Sequence, residues 1–423
     1  MTEPSPYISS AFRLAEHPDR AFVDLETHAR PVMPIDVPVR VRRAAFMPTD
    51  GHDGLARLQE TLVARLRPGD HRDTRQFDFE AAGYRVIIEI HNEFATLTWV
   101  GAIDDWTSWP DGINLDLFSG MPLIAATRID VIEAAVISPA ALAGFNPPSL
   151  SYSQIFNGNA QAATDFVVDD DRFTRFEVAA GSSGKLQRGV IVRRLLEIET
   201  YRNLALLGLP LARTYSPRIR AQEAQQVNLM QQLGHGTTMQ DNHAALDSLH
   251  DLSLEVGRTV DAVAYRFAAS HAYASVLRSR VERLDEKPIG EFTTIARYLE
   301  NRVEPAMATL TAVEKRLDAL ADRLERSTDL LNARITLSIE QQNQTVLDTI
   351  SRTASSQYTL QRTVEGLSIV AISYYALGIL GHVLDGFPHL PLLGAETTLA
   401  IAAPLVILLV WWLLRRRTPP PHE

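Results

Sequence analysis

Glu89, His91 and Glu93 alternate along a strand-like stretch, so on a strand they share one face while Ile88 and Ile90 take the other. Glu26 and His28 repeat that spacing near the start of the chain. Imidazole nitrogens and carboxylate oxygens together suit a divalent metal, which makes Glu26, His28, His91 and Glu93 candidate ligands. The competing reading is a salt-bridged surface in which Arg30 and Arg85 pair with the carboxylates. It is favoured because no His-Glu-x-x-His run or similar metal pattern is present. A second set lies near the C-terminus. Ser368, Tyr375, Gly378, Gly381 and His382 recur at helical spacing, and Asp385 follows three residues after His382. Around a symmetry axis these six would line a pore, with His382 and Asp385 ringing a mouth that attracts cations. In a single helix pair, the same small and hydroxyl residues serve packing and the polar pair is a helix end at headgroup level.

The second set sits on an element that can be read directly. Residues 367–384 and 397–414 are uncharged apolar runs, separated by a turn containing Pro388, Pro391 and Gly394. As helix, at about 1.5 Å per residue, each just spans a hydrocarbon core of about 30 Å. Arg352 and Arg362 precede the first run, Arg415, Arg416 and Arg417 follow the second, and the turn has no Lys or Arg. The positive-inside rule then places both flanks in the cytoplasm, with Trp411 and Trp412 as an interfacial belt beside Arg415. Together these five residues form the expected anchor. The first residues lack a basic and an apolar segment, so no signal peptide is expected and the bulk of the chain stays cytoplasmic. Buried core helices are the alternative. They rarely close an 18-residue charge-free run with Trp-Trp and three arginines.

Composition excludes several classes. The chain has 423 residues, with 41 Lys and Arg against 51 Asp and Glu, a net charge of −10. That balance argues against nucleic-acid binding, which needs a basic face. It is compatible with attracting cations. With no cysteine, disulfides, thiolate catalysis and Cys-ligated metals are out.

Residues 1–183 read as a cytoplasmic α+β or α/β domain on a mostly antiparallel sheet. Strands are expected at 37–47, 77–80, 84–93, 94–103, 129–137 and 172–178, with a helix at 54–66 and a turn at Asp169-Asp170-Asp171. Residues 184–304 form a helical domain. Its first helix, 186–207, is expected to stop at Gly208-Leu209-Pro210, with further helices at 221–233 and 243–284. Residues 305–366 form a stalk helix that runs on into the first apolar run, about 80 residues and about 120 Å in all. Leu317, Leu320 and Leu324 open a heptad. Later Val346, Thr353, Leu360 and Leu367 share one seam position, and Ile350, Gln357 and Val364 the other. Residues 367–414 are the two-span hairpin and 415–423 a basic tail. Between residues 193 and 202, Arg194, Glu197 and Tyr201 share a helix face, and Glu199 and Arg202 pair three apart. Such pairs stabilise helices or mark a contact. Gly181-Ser182-Ser183-Gly184-Lys185 lacks phosphate-loop spacing and reads as a linker.

Four stretches carry a resemblance. They are Glu26-Thr27-His28-Ala29-Arg30-Pro31, His91-Asn92-Glu93-Phe94, the run from Arg194 to Arg202, and Gln361 to Ser368 continuing into Ala371-Ile372-Ser373-Tyr374-Tyr375. They resemble a proteobacterial family of membrane-anchored proteins known as a domain of unknown function, over nearly the whole chain. That resemblance implies a bacterial inner membrane and no particular activity. The architecture also resembles CorA-type magnesium transporters. It implies a homo-oligomer, by analogy a pentamer, whose first spans line a pore. Those transporters carry Gly-Met-Asn after the first span, where this chain reads Gly381-His382-Val383-Leu384-Asp385-Gly386, so magnesium selectivity does not carry over.

The expectation is a multi-pass inner-membrane homo-oligomer that is not an enzyme, with both termini cytoplasmic and with itself and the lipid bilayer as partners. Its function is CorA-like cation transport, with a divalent cation as the conceivable ligand. A membrane-tethered scaffold or sensor and a membrane-bound metal enzyme are the alternatives.

Overall fold

The computed structural model describes residues 17, 19–20, 32–49, 52–66, 75–107, 109–235, 238–386 and 395–417. The chain divides into two compact units. One comprises Met1–Gln232 with Ser248–Glu325, the other Leu233–Asp247 with Arg326–Glu423.

The first unit is built on one mixed sheet of nine strands in the order β2-β3-β4-β1-β5-β8-β7-β6-β9. The strands are β1 Val39–Phe46, β2 Gln76–Ala81, β3 Tyr84–Ile90, β4 Ala95–Gly101, β5 Leu123–Ile132, β6 Ser151–Ile155, β7 Ala160–Val168, β8 Thr174–Ala179 and the two-residue β9 Lys287–Pro288. Every pairing is antiparallel except β5 with β8. The hairpin β2–β3 turns at Ala82 and Gly83, both at positive φ, where glycine costs nothing.

Period-two alternation assigns the faces. Val41, Ile129 and Phe176 lie in register across β1, β5 and β8, all essentially inaccessible. They belong to the main core, which the helices cover: α2 Lys185–Leu206, α3 Gly208–His235, α4 Met239–Glu282 and the first part of α5 Ile295–Asp385. On the opposite face, α1 His52–Leu66 sets Leu55, Leu58 and Leu62 against Phe77, Ile88, Leu97 and Trp99.

Several expectations are corrected. The sheet is mostly antiparallel as expected, with β5–β8 the one parallel pair among the named strands, but β6 and β7 lie where no strand was read. The strand expected at 129–137 runs instead over Leu123–Ile132. Gly208-Leu209-Pro210 does end α2, yet it also starts α3, with only Leu207 between them. Proline lacks an N–H, which is no loss in a first helical turn. Gly208 lets the corner close: its N–H donates to Ser270 Oγ at 3.1 Å, and a Cβ there would press on Leu310 at 3.0 Å. The long helix begins at Ile295 rather than near Pro305, which lies inside it. Its start is held by Glu286, whose carboxylate accepts the N–H groups of Ile295 (3.0 Å) and Ala296 (2.7 Å) and the hydroxyl of Ser153 (2.5 Å).

The second unit contains most of α5, 91 residues in all, and α6 Ala395–Arg417, the apolar C-terminal helix. The two come together at Gly381, where a Cβ would meet Leu399 Cδ1 at 3.4 Å. The turn expected around Pro388 and Pro391 lies outside the described residues.

One backbone crossing is tight enough to test. A Cβ on Gly189 of α2 would collide with the carbonyl oxygen of Met33, which lies across the helix. Gly189→Ala is expected to cost about 1–3 kcal/mol, as overpacking does, read as a lowered Tm of the full chain. Gly257→Ala, at an open position of α4 with nothing within 4 Å, is expected to gain up to about 1 kcal/mol. Equal shifts at both sites would contradict this packing.

Candidate functional site

Two regions gather the residues singled out in the sequence. The first lies between the sheet and α2. β3 ends at Ile90, and the chain turns through His91, whose N–H donates to Phe94 O at 2.8 Å. The turn breaks the alternation expected of Glu89, His91 and Glu93. Glu89 stays on the sheet and is buried, where it accepts Arg43 Nη2 at 3.0 Å; Arg43 Nε donates to Thr98 Oγ1 at 2.8 Å. Glu93 instead meets α4, accepting Tyr273 Oη at 2.8 Å and Arg266 Nη1 at 3.1 Å. His91 stacks on Phe94 with ring centroids 4.1 Å apart. Phe94 sits edge-on to Tyr201 (6.3 Å) and Tyr273 (6.1 Å), which stack on each other at 5.9 Å. The His91–Phe94 and Arg194–Arg202 stretches, 100 residues apart in the chain, therefore meet in one aromatic and charged seam.

Helix α2 supplies the other wall. Glu197 accepts Arg193 Nε at 3.0 Å and Arg280 Nε at 2.5 Å. Glu199 is 1% exposed and takes both Arg202 Nε (2.8 Å) and Nη2 (2.6 Å), with Thr174 Oγ1 at 2.9 Å. Of the pairs read in the sequence, Glu199–Arg202 forms, whereas Glu197 bonds Arg193 on its own helix; Thr174 and Arg280 tie the two carboxylates to β8 and α4. Two small crevices remain, of about 40 Å³ beside Met33, Arg43 and Gly189 and about 10 Å³ beside Glu89, His91 and Glu197. Since a water needs roughly 10–15 Å³, these hold a few waters at most and no organic substrate.

Arg85 pairs with Asp78 across the hairpin, at 2.7 and 3.1 Å, rather than with Glu89 or Glu93. Glu26, His28 and Arg30 lie outside the described residues. Among the described residues, no three His, Asp or Glu side chains are grouped to hold a metal ion.

Sequence reasoning missed a charged patch on the opposite sheet face. Arg40, Arg42, Arg128 and Asp130 are all buried. Arg40 pairs with Asp130 at 2.5 and 3.0 Å, Arg42 with Asp105 at 3.5 Å, and Arg128 with Asp169 at 3.2 Å. Trp106, 66% exposed, lies over Arg40 with the guanidinium carbon 4.1 Å from its ring. Burial, with Asp130 nearby, pushes the Glu177 carboxyl above its ordinary pKa. The visible signal was the i,i+2 repetition of Arg40-x-Arg42, Arg128-x-Asp130 and Arg175-x-Glu177, charges where apolar residues would be expected.

The second region is the pair of helices in the second unit. Tyr375 is 70% exposed, His382 is exposed, and Gly378 opens on empty space. Ser368 is half-buried and donates to Val364 O at 2.8 Å. Gly381 faces Leu399 instead, and Ser373 is buried. Asp385 is the last residue of α5, and Arg415, Arg416 and Arg417 end α6; their side chains lie outside the described residues. Both helices are long and apolar enough to cross a membrane, and in their most apolar windows only 6% and 0% of residues are buried.

A family model described as "Protein of unknown function (DUF3422)" matches residues 15–418, and the chain belongs to that family. No curated protein and no solved structure matches it.

The Glu93 cluster yields a pH test. Burial alone would raise the Glu93 pKa, but hydrogen bonds from Tyr265 and Tyr273 and the Arg266 charge outweigh it, so the value falls below the ordinary one. Its contribution is therefore present above the unfolded value of about 4.3 and lost as pH falls through the lower folded value. Glu93→Gln is expected to cost about 1–3 kcal/mol at pH 7, with the gap to the parent closing as pH drops below about 4. Denaturant unfolding across pH checks it; a gap independent of pH would contradict the assignment.

Proposed function

We propose that this protein is an integral membrane protein that assembles with copies of itself and conducts cations along its first spans, with the sheet-bearing unit in the cytoplasm as a regulatory domain. The observation that carries the membrane part is the uncovered apolar surface of α5 and α6. Leu367, Val370, Ile379, Leu405 and Leu408 are each more than half exposed, in windows that hold almost no buried residue. A core helix of a soluble protein would be mostly buried, and water would charge heavily for this surface. Residues 397–414 contain ten Leu, Ile or Val. At about −0.3 to −0.6 kcal/mol each on the insertion scale they favour the bilayer by roughly 3–6 kcal/mol. Arg352 and Arg362 before the first span, and Arg415 to Arg417 after the second, orient both flanks inward. Read this way, the two-span plan resembles that of CorA-type transporters, a likeness that rests on the sequence pattern.

The conduit part is supported by the free face of the first span. Tyr375, Gly378 and His382 stand away from α6. One chain contributes two spans and cannot enclose a water-filled path, so the proposal requires several copies around an axis. In proteoliposomes, a panel of mono- and divalent cations is expected to show flux that Tyr375→Ala alters several-fold. Undiminished, unaltered flux in a folded variant would count against Tyr375 as pore lining, and no flux of any cation in the parent would remove the conduit.

A membrane-tethered scaffold or sensor is the second reading, favoured by Gly381, which packs on Leu399 rather than opening outward. It expects a foreign two-span hairpin to replace residues 367–414 with cellular function retained, an exchange the conduit would not survive.

A further inference from the structure

The helix α5 changes its surroundings along its length. Leu317, Leu320 and Leu324 are at most 2% exposed, so the first heptad is satisfied within the chain. Farther along, the seam residues are uncovered: Val346 is 56% exposed, Ile350 58%, Leu360 66%, Val364 57% and Leu367 74%. We propose that residues 346–368 form a parallel bundle of three or more copies of this chain, using a face wider than a two-stranded seam. This rests on the membrane reading above, which places every hairpin in one bilayer with one orientation and so leaves only the parallel arrangement.

The number follows from where the charges lie. With Val346, Thr353, Leu360 and Leu367 at d and Ile350, Gln357 and Val364 at a, the flanking e positions are Leu347, Ala354, Gln361 and Ser368, and the g positions Thr349, Ser356 and Thr363. None is charged. Asp348, Arg352, Arg362 and Glu365, the charged residues between 346 and 368, fall at f, c, f and b. At 100° per residue, positions a, d, e and g form one uncharged arc of roughly 160°. A two-stranded coil buries a narrower a/d stripe and commonly carries charges at e and g. An arc this broad, lined with small and hydroxyl residues, touches neighbours on two sides.

The hydroxyls do not oppose burial. Thr349, Thr353, Thr363 and Ser368 each donate to the carbonyl four residues back, at 2.8–2.9 Å. Their donors are satisfied before any copy arrives. Gln357 remains as a polar layer whose amide can bond to its equivalents, a device that fixes register.

Native mass spectrometry of the full chain in detergent is expected to give three or more copies; a monomer or dimer would overturn the proposal. Leu360→Glu with Val364→Glu is expected to dissociate the assembly, while Asp348→Ala with Arg362→Ala on the far face leaves its mass unchanged. Unchanged mass in the seam variant would assign assembly to the spans and overturn the seam, leaving the conduit standing. A cross-link avoids misfolding. In the parent, which has no cysteine, Thr353→Cys is expected to link chains on oxidation and Arg352→Cys is not; the reverse result would overturn the register. An intact assembly without ion flux would sink the conduit and leave the bundle in place.

Discussion

The rest of the structure depends on a helix whose backbone needs no outside partner. Every interior N–H of α5 is bonded to its own carbonyls, so one helix can be core, unpartnered seam and apolar segment in turn, by side chains alone. Leu310 and Leu317 lie in the core with the sheet. Val346 to Leu367 are uncovered but uncharged along one face, and beyond Glu365 the charges stop until the end of the helix. The helix carries no proline after Pro305, so nothing interrupts the hydrogen-bond ladder along the way.

The first unit is held by two kinds of contact with different roles. Apolar residues on both faces of the sheet supply the burial. The charged groups are not surface decoration: Arg40 with Asp130, Arg43 with Glu89 and Glu199 with Arg202 are all largely inaccessible. Buried pairs of this kind add little net stability against a well-packed apolar alternative, but losing one member is costly. They make a neighbour compulsory. Glu199 is already held by Arg202 and Asn203 of its own helix, with Thr174 of β8 added, but Glu93 finds Arg266 and Tyr273 only on α4 and Arg40 finds Asp130 only on β5, so these contacts specify which element docks where. The small crevices between them fit a seam of this sort better than a substrate pocket.

Much of this was legible. Alternation in β1, β3 and β4, the 3.6-residue period of α1, and in α5 the absence of proline after Pro305 and of glycine before Gly366 all showed in the sequence and recur as elements. The failures have physical causes. Strands β6 and β7 contain Ser151, Ser153, Ala160, Ala162 and Ala163, small residues of low strand propensity that are all buried, so nothing in their pattern marked a strand. Gly208-Leu209-Pro210 signals a stop and also suits a start; it serves as both, with the corner closed by the Gly208 N–H on Ser270, a contact the sequence does not show. Glu89, His91 and Glu93 looked like one face because the turn at His91 depends on Phe94 being drawn into an aromatic stack with residues from α2 and α4. The arginine patch was hidden because charged side chains in a central strand are read as solvent-facing until their acids are located.

The central claim is that residues 367–414 cross a bilayer twice with both flanks on one side. Since the chain has no cysteine, single cysteines can report it without background. Ser355→Cys, Gly394→Cys and Thr418→Cys would be introduced one at a time and treated with a membrane-impermeant maleimide in intact spheroplasts and in inverted vesicles. The account predicts that 394 labels in spheroplasts only, and that 355 and 418 label in inverted vesicles only. Opposite sidedness for 355 and 418, or full labelling of all three in a soluble fraction, would contradict it.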